Sequence, residues 1–164
     1  IISYFCPMNM VLLCIGKTQE KYLLEGIRDY EKRLVHYIRF TRLELPDIKN
    51  TSSLSCNQIK EKEGRLLLKN IKPGDHLVLF DENGSTYTSK QMSFQIEQHM
   101  QKGTRTLVFA LGGPYGFSEQ VRGRAQEMWS LSSLTFPHQL VRLLCMEQIY
   151  RCLTIIKREA YHHE

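Results

Sequence analysis

The sequence predicts an α/β fold, with a mostly parallel sheet and helices on both faces. Three observations carry this. Short apolar runs alternate along the chain with amphipathic segments of helical period. Several of those runs are continuously apolar, as strands covered on both faces are. They end at glycines or turn residues, and the chain has no repeats and no low-complexity tracts. Residues 8–164 are expected to form a single domain, large enough for a substantial core. Residues 1–7 are expected to be an extension or cloning remnant, with Met8 as the start.

Taken in order, residues 10–15 (MVLLCI) are a buried strand stopped by Gly16. Residues 20–34 place Tyr22, Leu23, Ile27, Tyr30 and Leu34 at helical spacing. Residues 37–45 alternate apolar and polar side chains, with Leu43 slightly out of phase, and Pro46 ends that strand. The polar stretch 47–55 reads as a loop. Residues 58–70 form a basic amphipathic helix before the Pro73-Gly74 turn. A third strand spans 76–80, with 81–84 (DENG) as its exit turn. Ser89 is expected to cap a helix running to Lys102, with Gly103 at its carboxyl end. Residues 106–111 (TLVFAL) are a fourth strand, and Ser118 caps a helix to about Met128. Residues 129–131 make a short fifth strand, and Pro137 opens a helix reaching Arg158.

Composition narrows the function classes. Hydrophobic residues make up 42% and charged residues 24%, as in a soluble globular protein. The net charge of +5 suits either a solvated surface or an anionic partner such as nucleic acid. Five scattered cysteines without a CxxC read as free thiols of a reducing cytosol, so a cytoplasmic location is expected. Cys145 and Cys152 share a helix face, where packing is their expected role. No window approaches the roughly 20 apolar residues of a membrane span.

The chemistry is concentrated in the loops of the last third. The strand 106–111 empties into Gly112-Gly113-Pro114-Tyr115-Gly116, and a second loop, 130–138 (SLSSLTFPH), feeds the last helix. Glycines let the backbone approach a ligand closely, and ligands of open α/β sheets sit at the carboxyl ends of the strands. Two such loops close together suggest one pocket built largely from main-chain atoms, suited to a small polar cofactor. The glycine spacing matches neither GxGxxG nor a Walker A loop, and no GxSxG elbow occurs. The six histidines show no HExxH and no Cys/His metal spacing, so no metal is expected.

His138 and Arg142 lie four apart on one helical face. The tail Tyr161-His162-His163-Glu164 is rich in donors and in groups that stack or move protons. Arg142, Arg151, Lys157 and Arg158 run toward it, which suits a phosphate backbone. The helix between is apolar on more than one face, which suggests burial by the sheet on one side and a partner subunit on the other.

The segments VLLCIGK, KEKEG, LGGPYGFS and LSSLTFPHQLVRLLCMEQIYRCLTIIKREAYH resemble, in order, the ribosomal RNA large subunit methyltransferase H family of the SPOUT superfamily. The resemblance covers Met8 to Glu164. It implies a C-terminal trefoil knot, an exception to the rule that folds avoid threading. It further implies a homodimer, S-adenosylmethionine as methyl donor, and N3-methylpseudouridine in large-subunit (23S) rRNA, made on the assembled ribosome, as product. Carried over by position, the cofactor residues are Phe80, Gly112, Leu131, Ser132, Ser133, Leu134, Thr135 and Phe136. His138, Arg142, Tyr161 and His162 are implied to face the pseudouridine. The family tail commonly follows Tyr-His with Arg or Lys, and here His163 stands in that place.

The pseudouridine N3 is an imide N–H, a poor nucleophile until deprotonated, so a base or an anion-stabilising group is needed. His138 and His162 are the candidate bases, Arg142 the candidate partner of negative charge on O2 or O4, and Tyr161 a candidate for stacking. Two other readings stay open at this point: a SPOUT enzyme of transfer RNA, and a non-catalytic ribosome assembly factor.

Overall fold

The computed structural model describes residues 8–161. Residues 1–7, expected to be an extension and containing Cys6, and residues 162–164 lie outside the described residues. Ten principal elements follow one another: β1 (Asn9–Ile15), α1 (Lys21–Leu34), β2 (Arg39–Leu45), α2 (Cys56–Lys69), β3 (His76–Thr86), α3 (Ser89–Gln101), β4 (Thr106–Leu111), α4 (Glu119–Arg124), β5 (Glu127–Ser130) and α5 (Leu140–Ile156). A short 3-10 turn, Thr51–Ser53, interrupts the loop before α2.

The five strands form one sheet in the order β2-β1-β4-β3-β5, and every pairing is parallel. Parallel strands require crossovers, and the helices that supply them cover both faces. Met10, Leu12 and Cys14 of β1, with Phe80 and Phe109, pack toward α1, α3 and α5. Their neighbours Leu13 and Ile15, with Leu77, Leu79 and Val108, pack toward α2 and α4. The period-two alternation of a strand thus sorts a continuous apolar run into two cores.

Several boundaries differ from expectation, each for a local reason. The cap of α3 is Thr88 rather than Ser89: its Oγ1 accepts from Gln91 N–H at 3.2 Å, while Gln91 Oε1 accepts from Thr88 N–H at 2.9 Å. Ser55 and Gln58 form the same reciprocal pair, so α2 starts at Cys56. The expected long α4 stops at Arg124, because Gln126 is drawn into the sheet by its N–H to Leu77 O (3.0 Å) and by Leu77 N–H to its Oε1 (2.7 Å). α5 begins at Leu140, although Pro137 O already accepts from Val141 N–H at 3.0 Å.

The largest difference is β3. The turn at 81–84 does form, with Asp81 Oδ1 accepting from Asn83 N–H at 3.0 Å. It does not end the strand. Phe80 and Ser85 both pair with Trp129, so four residues bulge out and the chain re-enters the sheet to reach Thr86. A Cβ at Gly84 would sit 2.6 Å from backbone atoms of Met128 and Trp129. Only a glycine lets the bulge lie against β5.

Cys14, Cys145 and Cys152 are buried free thiols and Cys56 is exposed. Burial pushes the Cys14 and Cys152 thiols up to about 12, which makes them packing groups. Among the described residues, no helix is long and apolar enough to cross a membrane.

Gly84→Ala is expected to lower stability by about 1–3 kcal/mol through the backbone overlap. Thermal denaturation checks this, and an unchanged midpoint would show that the bulge is not tight.

Candidate functional site

A cleft of about 530 Å³ opens at the carboxyl ends of β3, β4 and β5, within the range of small-molecule sites. Phe80 ends the first half of β3 before its bulge, Leu111-Gly112 closes β4, and Ser130-Leu131 closes β5, so three chain segments meet at one opening. Of the residues expected to hold a cofactor, Phe80, Gly112, Leu131, Ser132, Leu134, Thr135 and Phe136 line it. Ser133 is exposed on the same loop but is not among the lining residues.

Local bonds set the shape of these loops. Gly116 N–H reaches Gly113 O at 3.0 Å and closes the glycine loop into a turn. Ser130 Oγ donates to Ser132 O at 3.0 Å, and Ser132 Oγ accepts from Leu134 N–H at 2.9 Å. The Phe80 ring is stacked on Phe109 at 5.2 Å, which gives the cleft a fixed apolar wall. Asp81, Glu82 and Arg122 add charge to the lining, and Arg122 binds Asp81 at 2.7 Å. Glu82 is exposed there.

The residues expected to face the acceptor do not share one place. His138 lines the cleft, exposed on its rim. Arg142 is 2% exposed and does not line it. Its guanidinium instead donates to Ile15 O (2.5 Å), Gly16 O (2.9 Å), Thr18 Oγ1 (2.9 Å) and Glu44 Oε1 (3.3 Å). Tyr161 also lies off the cleft. Its hydroxyl is 3.3 Å from that of Tyr30 and 3.2 Å from Glu147 Oε1, and its ring meets Tyr150 edge-on. His162 lies outside the described residues.

The family model described as "Predicted SPOUT methyltransferase" matches residues 8–162. The chain belongs to the SPOUT methyltransferases.

Curated relatives carry one family name. The ribosomal RNA large subunit methyltransferase H of Parabacteroides distasonis is 52% identical over 96% of this chain and 100% of its own. That of Flavobacterium johnsoniae is 50% identical over the same shares. Within the SPOUT methyltransferases the chain therefore belongs to the ribosomal RNA large subunit methyltransferase H family. Among solved structures, the SpoU methyltransferase AviRb from Streptomyces viridochromogenes, in complex with AdoMet, overlaps 92% of this chain and 59% of that one. Its TM-score is 0.47 and its identity 12%.

One residue of this SPOUT site, inside the KEKEG segment, had no role assigned to it from the sequence. Glu63 of α2 is 6% exposed and sits directly behind the glycine loop: a Cβ on Gly113 would fall 2.5 Å from both of its carboxyl oxygens. Oε2 is buried with no hydrogen-bond partner among the described residues. Burial, with the Asp47 carboxylate second, raises its carboxyl above the ordinary 4.5. Glu63 thus fills the space under Gly113 and fixes how deep the loop sits. The signal was present, since Ile59, Glu63 and Leu67 are four apart and all buried.

A raised carboxyl favours folding fully below its unfolded value, and the advantage is lost as pH rises through the folded value. Glu63→Gln is therefore expected to gain stability relative to the parent as pH rises from 4.5 toward neutrality. Paired melting curves across that range check it; a pH-independent difference would mean the carboxyl is not held neutral.

Proposed function

We propose that this chain transfers a methyl group from S-adenosylmethionine to N3 of a pseudouridine in large-subunit (23S) ribosomal RNA, on the assembled ribosome. The observation that carries the reading is the convergence of three strand-end loops, with His138 at the rim, on one cleft in a SPOUT methyltransferase. The relatives' names supply the class of acceptor, and the sequence resemblance supplies the atom.

The cleft suits this cofactor in size and in lining. It combines an apolar wall (Phe80, Leu131, Phe136), main-chain groups of the glycine loop, and an exposed carboxylate (Glu82). Phe80, Gly112, Leu131, Ser132, Leu134, Thr135 and Phe136 are the residues that would hold it, with Ser133 on the same loop just outside the lining. When bound, S-adenosylmethionine supplies a methyl already activated by the sulfonium, so the protein need only orient the acceptor and manage one proton.

His138 lines the cleft and is exposed on its rim, and we assign it the proton of the imide N–H or the stabilisation of the resulting anion. His162 is the other candidate for that role. Arg142 contributes by position: its hydrogen bonds tie α5, and with it His138, to the end of β1.

We further propose a cytoplasmic homodimer with a trefoil knot in the C-terminal half of each chain. Leu140, Leu144 and Ile155 of α5 are only partly buried and belong to neither core, which supports a partner against this helix. Tyr161 and His162 then serve the cleft of the partner subunit, since Tyr161 does not line its own.

Labelled methyl transfer to unmethylated ribosomes, free subunits and transfer RNA, with nucleoside analysis, tests the reading. Label is expected as N3-methylpseudouridine, with intact ribosomes alone. Another nucleoside, or transfer RNA as the better acceptor, would overturn it. His138→Ala is expected to lower kcat about 10²–10⁴-fold, and an unchanged rate would remove this residue from the mechanism.

A further inference from the structure

At the amino ends of the strands, opposite the cleft, three metal-ligating side chains from three elements converge: His76 opens β3, His99 lies in the last turn of α3, and Glu127 opens β5. One donor atom from each lies within 4.8 Å of the others. Both imidazoles aim the same nitrogen at the same oxygen, with His76 Nε2 at 2.7 Å and His99 Nε2 at 2.9 Å from Glu127 Oε1. The two rings are 4.3 Å apart.

We propose that His76, His99 and Glu127 form a binding site for a divalent transition-metal ion of the zinc type, distinct from the methyl-transfer cleft. The donor set is two imidazoles and one carboxylate, the borderline N/O set that zinc takes with tetrahedral preference.

The neighbours orient the donors in the way metal sites require. Trp129 Nε1 donates to the other carboxyl oxygen, Glu127 Oε2, at 2.9 Å, so that Oε1 is the oxygen turned toward the two imidazoles. His99 Nδ1 lies 3.3 Å from Thr104 Oγ1. Ligation through Nε2 places the neutral ring's proton on Nδ1, where the Thr104 oxygen accepts it. An ion between the three donors replaces the contacts to Oε1 and requires only that the side chains spread from 2.7–2.9 Å.

Access and anchoring are both provided. The His99 side chain is 7% exposed, while those of His76 and Glu127 are 26% and 27% exposed. The buried histidine fixes the site, and the outer pair opens to solvent, which leaves a position for water. The bound ion would cross-link β3, α3 and β5, so its readout is stability rather than methyl transfer.

The test uses the full chain, stripped of metal and titrated with Zn²⁺ and then Co²⁺. One equivalent is expected to bind, and zinc at a hundred times its Kd to raise the thermal midpoint by roughly 5–10 °C. The Co²⁺ complex is expected to show a tetrahedral ligand-field spectrum without a thiolate charge-transfer band, which separates this site from the exposed Cys56.

His76→Gln, at a partly exposed strand start, is expected to keep the fold and lose the binding, while His76→Cys restores it with a thiolate band. Thr104→Val is expected to weaken binding about tenfold. Two results would overturn the proposal: no stoichiometric binding by the parent, or zinc affinity unchanged in both His76→Gln and Glu127→Gln, which would place the ion on the tail histidines His162 and His163. A cluster held by hydrogen bonds alone gives the first result.

Discussion

The constraint on which the site depends is the buried guanidinium of Arg142. A charge taken out of water must be fully paired, and here the pairing is done largely by strand-end carbonyls that have no further ladder to join. Glu44 of β2 supplies the countercharge, itself held by Arg42 at 2.5 Å and by the Thr18 hydroxyl. One side chain of α5 therefore closes the carboxyl end of β1 and ties β2 into the same network. Three residues earlier in sequence, Gln139 Oε1 accepts from Gln19 N–H at 2.9 Å and so seats the start of α1. His138 and the loop 131–136 hang from this anchored end. Their position relative to Phe80 and Gly112 is a consequence of how Arg142 is buried.

The other fixed point is β5, a strand of four residues that serves both ends of the sheet. Ser130 lines the cleft and Glu127 belongs to the histidine cluster. Between them Trp129, the one tryptophan of the chain, packs against Phe109 at 5.4 Å and Tyr87 at 5.5 Å. So short an edge strand has little ladder of its own. It is held by the returning half of β3, by the aromatic contacts and by the Glu127 hydrogen bonds, which draw that carboxyl from 4.5 down to about 2, chiefly through His99.

Much of this was legible from the chain. Continuous apolar runs located β1 and β4 to within a residue, because a strand buried on both faces has no other way to look. The cleft was legible in part for the same reason, since its glycine loop follows directly from β4. What escaped depended on pairing between distant residues. The DENG stretch makes the turn it encodes, yet only contact with Trp129 brings Ser85 back into the sheet. The spacing puts Arg142 on one helical face with His138, but α5 starts only at Leu140, and the carbonyls of Ile15 and Gly16 explain why Arg142 turns inward. His76, His99 and Glu127 lie 23 or more positions apart in sequence and carry no spacing signal, so the sheet order alone unites them. Glu63 was hidden by its charge, which on a basic helix reads as solvated.

The central claim is that the three strand-end loops hold the methyl donor. A crystal structure of the chain grown with S-adenosylmethionine tests it most directly. The account predicts density for the cofactor in the cleft, against Phe80, the Gly112 backbone and the loop 131–136, with its methyl turned toward the His138 rim. Cofactor density elsewhere on the chain, or a cleft left to solvent at saturating cofactor, would contradict it.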